Sequence, residues 1–173
     1  MSDPIASAFQ TAARQSLEKS VEKIQHCLRQ LNEAQVWYPP SNRLNSIANL
    51  ILHLCGNLRQ SIVSGVGGTP DVRNRPQEFA ERGPFAKTEL IRRLEEVARE
   101  ADAVLAGLTA TQLLADRRIQ GSSQTGLTAI WDSLNHLSGH TQEIIHITRV
   151  QLGKAYQFDW VPSTPEQGAA PLS

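Results

Sequence analysis

The sequence has only two cysteines, no excess of either charge and no long apolar run. Cys27 and Cys55 fall in separate helical segments, and MSDPIASAFQ shows no basic stretch followed by an apolar one, so no secretory signal is visible. Reduced core thiols are therefore expected rather than a disulfide, with a cytoplasmic setting. Seventeen basic and seventeen acidic residues cancel, which argues against a nucleic-acid partner. No apolar stretch approaches the ~20 residues that span a bilayer, so no membrane partner is expected either. A serine elbow and a Cys-x-x-Cys pair are also missing. Gly65-Val66-Gly67-Gly68 has the look of a phosphate cradle, but no helix with a lysine follows it, and it reads as a helix cap and crossover.

What is present is helical periodicity. At 173 residues the chain suits one domain, expected over residues 1–160 with a proline-rich mobile tail at 161–173. Leu17, Val21, Ile24, Leu28 and Leu31 form the seam of a first helix from Ile5 to Leu31, stopped by Pro39-Pro40. A second helix, capped near Asn45, carries Ile47, Leu50, Ile51, Leu54, Leu58 and Ile62 and ends at Gly65, Gly67 and Gly68. The stretch from there to Pro84 is long for a compact domain, as functional loops and crossovers are. A third helix after Thr88 has Leu90, Ile91, Leu94, Val97, Ala101, Val104, Leu105 and Leu108 as its apolar face, and Glu89/Arg93 and Glu95/Arg99 as pairs on a solvated face. Gly107 to Gly126 reads as a second polar connection, with no convincing strand alternation. A fourth helix from Gly126 to Leu152 ends at Gly153. The class is all-α, a four-helix bundle whose long connection lets helices two and three run parallel.

Within the fourth helix, His136 and His140 lie four residues apart, so their imidazoles share one face at a spacing of about 6 Å. Such a pair can close on one divalent ion, or can be two packed histidines with satisfied partners. His53 is the best third ligand. It belongs to a part-polar stripe of Ser46, Leu50, His53, Asn57 and Gln60 beside the core seam, and a buried polar stripe needs partners. Three histidines and one open position is the pattern of a catalytic rather than a structural zinc site. His146 is turned about 240° from His140 and reads as a surface or dimer-interface histidine. His26 has no partner at ligand spacing, and Cys55, about 200° from His53, should not share its metal. Glu143, three residues past His140, could polarise water or hold a histidine proton, or be an exposed helix glutamate.

The segment Asn45 to Gln60, with its His53-Leu54-Cys55-Gly56-Asn57-Leu58-Arg59 run, resembles the second helix of the DinB/YfiT-like superfamily. More narrowly it is similar to an uncharacterised bacterial branch. The crossover Gly65 to Gly68 with Asp71, Arg73, Arg75 and Glu78-Phe79 matches that branch, as do Asn135 to Thr141 and the aromatic end Tyr156 to Trp160. The chain departs from it at Gln142-Glu143, where Gly-Gln is usual, and at Gly139, where an aromatic is common. The resemblance implies an up-down-down-up bundle with a divalent metal on His53, His136 and His140. Zinc is favoured over nickel, manganese and iron. It further implies a homodimer, a small-molecule substrate and a low-molecular-weight thiol as possible co-reactant. The function expected is that of a metal-dependent transferase or hydrolase, with Asn57, Arg59 and Glu143 as second candidates for contacts to substrate or ligands. The alternatives are a non-catalytic, metal-stabilised or stress-associated module, and a bundle without metal that dimerises through exposed apolar surface.

Overall fold

The structure, a computed structural model, describes residues 3–83 and 85–160. Pro84 and the expected tail at 161–173 lie outside the described residues. Helix α1 spans Pro4–Gln30, opened by Asp3, whose carboxylate accepts from the amides of Ile5 and Ala6. A short helix α2, Glu33–Trp37, follows before the proline pair, opened by a capping box between Asn32 and Gln35. Helix α3 covers Ile47–Leu58. Its cap is Ser46 rather than Asn45, because the Ser46 hydroxyl and the Asn49 side chain satisfy each other's amides. The helix runs on through a π-helical turn, Arg59–Ser64, before the glycines release it.

The long connection is not structureless. It contains α4, Arg75–Ala80, and Asn49 Nδ2 donates to the carbonyls of Glu78 and Glu81, fastening α4 to the start of α3. Helix α5, Lys87–Ala106, and helix α7, Gly126–Leu152, complete the four long helices. Gly153 ends α7 with a φ of 54°. Between α5 and α7 lie α6, Ala110–Leu114, and a hairpin of β1, Asp116–Ile119, and β2, Ser122–Thr125. The hairpin corrects the expectation of an irregular connection. Its strands are nearly all polar, so no alternation betrays them, and Gln120-Gly121 makes the two-residue turn with φ of 52° and 83°.

The four long helices pack in a ring, α1 against α5 and α7, and α3 against the same two. Arg14 meets Asp102 and Gln25 meets Glu95, so α1 and α5 run in opposite directions. Asn57 meets Ser133 and His53 meets His136, so α3 and α7 do too. The expected Glu95/Arg99 pair is replaced by that reach to Gln25, whereas Glu89/Arg93 forms at 2.7 Å. Ile24, Leu50, Leu54, Leu94 and Ile130 are fully buried in one continuous core. No described helix is long and apolar enough to cross a membrane.

Candidate metal centre

Helix periodicity delivers His53 from α3 and His136 and His140 from α7 to one point. Among the described residues they form the one group of three potential ligands, with one ring nitrogen from each within 4.8 Å of the others. The Nε2 atoms of His53 and His136 are 2.8 Å apart, and the three rings stand nearly perpendicular to one another. The donors in a tetrahedral site with Zn–N of about 2.0–2.1 Å stand closer than 4.8 Å, so small rotations of these rings suffice to close on an ion.

Two of the rings are held from behind. His53 Nδ1 lies 2.9 Å from Glu78 Oε2, and His140 Nδ1 lies 2.7 Å from Glu143 Oε2. A proton placed on Nδ1 by each carboxylate leaves Nε2 with its lone pair free, the tautomer a metal ligand needs. Glu78 is itself clamped by Arg73, which donates Nε–H to Oε1 at 2.7 Å and its terminal N–H to Oε2 at 2.9 Å. Arg73 also donates to Gln60 Oε1, and Gln120 of the hairpin turn donates to the same oxygen. The crossover and the hairpin are thus tied into the support of His53. Phe79 packs its ring 4.8 Å from that of His53, and Arg75 lies 5.1 Å over Phe79.

The surroundings favour the neutral imidazole at His53 and His136. Burial pushes His53 below its ordinary value against the opposing pull of Glu78. His136 falls to about 4, through burial first and then the charges of His140, His53, Arg73 and Arg75. An unfolded chain takes a proton on His136 near pH 6.5, whereas the folded, metal-free chain refuses it until about pH 4. The stability of metal-free protein should therefore hold above pH 6.5 and decline as pH falls from there towards 4. Urea midpoints at pH 7.5, 6 and 4.5 in chelator check this, and His136→Gln should flatten the decline. Equal slopes for the two proteins would refute it.

Asn57 faces the same side, its Oδ1 accepting from Ser133 at 2.9 Å. Arg59 does not. It forms a bidentate pair with Glu100 of α5 and lines a different cleft with Cys55. Cys55 is free and buried on that side, its thiol pushed up to about 12 by burial, and Cys27 is free and buried as well. His146 is exposed, and His26 bonds the carbonyl of Gln157. The sequence reading left Arg73 and Glu78 without a role. They lie 20 and 25 residues from His53, too far for any helical spacing to link them, and the available signal was an unusually long connection rich in charge.

A cleft of about 440 Å³ opens beside His53 and His136, walled by Asn57, Ser61, Arg75, the hairpin and Asp132-Ser133 of α7. The family model described as "Protein of unknown function (DUF1572)" matches residues 4–164. No curated protein sequence matches the chain. Among solved structures, a conserved protein from Enterococcus faecalis aligns with a TM-score of 0.70 at 17% identity, over 83% of this chain and 97% of that one. A DinB-like protein from Bacillus cereus aligns at 0.64 and 15%, over 79% and 89%. A DinB-like protein from Bacillus subtilis aligns at 0.58 and 19%, over 90% and 97%. At these identities the likeness concerns the fold.

Proposed function

We propose, for a chain that belongs to the DUF1572 family and has the DinB-like fold, that it holds one divalent metal on His53, His136 and His140. The observation that carries this reading is the convergence of three ring nitrogens within 4.8 Å, with a carboxylate behind two of the rings. Bringing three imidazoles together, with burial holding two of them below their ordinary pKa values, makes sense when an ion takes up the lone pairs aimed at it. Neutral imidazole donors suit zinc first, then nickel, iron or manganese.

The donor set leaves a coordination position, and the polar cleft beside it has room for a small molecule. A bound ion would there act as a Lewis acid toward a water or a thiolate, which makes a metal-dependent transferase or hydrolase the reading of function. The chain's own part is to fix the tautomers of His53 and His140, to hold Asn57 with its amide N–H groups free for a ligand, and to wall the centre with Phe79. Metal content by plasma mass spectrometry on untagged protein tests the centre. About one ion per chain is expected in the wild type, and loss in both His53→Ala and His140→Ala with helical circular dichroism retained. Wild-type protein that takes up no divalent ion on reconstitution would sink the proposal.

A further inference from the structure

The cleft beside the histidines has an uneven charge pattern. Arg73 is engaged by Glu78, Gln60 and His53, yet Arg75, two residues on, forms no ion pair and no side-chain hydrogen bond among the described residues. The same holds for Asp132 of α7. Both side chains line this one cleft, and they do not pair with each other although salt bridges form readily elsewhere on the surface. Arg75 is kept in place over Phe79, whose ring packs on His53, so the cation is anchored next to the proposed metal.

Most of the remaining lining is donor and acceptor, Asn57, Ser61, Gln120 and Gln124, beside the apolar Ile119 and Ala129. One unpaired cation and one unpaired anion lining the same cleft complement a ligand carrying one charge of each sign. Building on the metal reading above, we infer that the cleft between the hairpin and α7 binds a small zwitterionic molecule of the amino-acid class. Arg75 takes its carboxylate, Asp132 takes its ammonium group, and a third, metal-seeking group of the ligand reaches the ion.

The test uses zinc-loaded protein and two hydroxamates, measured by titration calorimetry. Acetohydroxamate presents the metal-seeking group alone, and L-aspartate β-hydroxamate adds an amino-acid head. Wild-type protein should bind the second at least tenfold more tightly. Arg75→Gln and Asp132→Asn, both at exposed positions, should each remove most of that gain, the ratio of the two affinities being read within each variant. Equal affinity of the two probes for metal-loaded wild type, or variants that keep the preference, would overturn this inference alone. Metal content is read on the same samples, and a chain without metal would overturn the reading of the centre and this inference with it.

Discussion

Replacing Glu78 by alanine should destabilise the protein by about 3–5 kcal/mol, the range for breaking a buried ion pair from one side. Its carboxylate is 9% exposed, and the Arg73 side chain it clamps is 4% exposed. Removing Glu78 leaves a buried guanidinium with only neutral neighbours, Gln60 Oε1 and His53 Nδ1, and an imidazole whose Nδ1 faces that cation instead of a carboxylate. The unpaired charge dominates, since a lost neutral hydrogen bond alone is worth roughly 1 kcal/mol. For a chain of this size the melting temperature should fall by roughly 6–20 °C. Zinc affinity should drop about 10- to 100-fold, the usual effect of removing a carboxylate behind a histidine ligand. Replacing both partners, Arg73→Met with Glu78→Leu, should recover much of the stability and none of the affinity, because the charge is gone and the tautomer control with it. Urea unfolding and competitive zinc titration separate the two effects. Glu78→Ala within 1 kcal/mol of the wild type would show that Arg73 finds solvent on its own.

The parts of this structure legible in the sequence are those with a period. Helix α7 emerges at Gly126–Leu152 as read, since its seam from Ile130 to Leu152 repeats for about six turns and Gly153 closes it. The same period carries His136 and His140 to one face, and the polar stripe of α3 nominates His53. Elements of four to six residues give no such repeat, so α2, α4, α6 and the hairpin escape notice. The second rank of the site escapes with them. Glu78 meets His53 because α4 is tied by Asn49 to the start of α3, and this contact depends on chain closure over 25 residues. Arg59 illustrates the opposite failure. It is close in sequence to His53, but six positions along a helix turn it towards α5 and Glu100.

Two helical glycines should respond to alanine with opposite signs. Glycine in a helix interior costs about 1 kcal/mol relative to alanine, so substitution is stabilising wherever there is room. At Gly139, on the exposed side of α7, a Cβ would meet nothing within 4 Å. Gly139→Ala should therefore add about 0.5–1 kcal/mol and leave zinc binding unchanged. At Gly56 a Cβ would overlap Glu78 Oε1 and approach Arg73 Nε to 2.9 Å. Those atoms end side chains, but ones held by two mutual hydrogen bonds and by His53, so they cannot yield without opening the buried cluster. Setting that loss at about 3–5 kcal/mol against the helix gain of about 1 leaves Gly56→Ala less stable by about 2–4 kcal/mol. Zinc affinity should fall alongside, because the carboxylate that orients His53 is the group displaced. The two variants, unfolded in urea side by side, isolate the cause: backbone propensity is common to both and the carboxylate lies under only one. A Gly56→Ala protein as stable as Gly139→Ala would mean that the glycine in the His-Leu-Cys-Gly-Asn run makes no room for Glu78, and that the long connection does not press on α3 as its hydrogen bonds require.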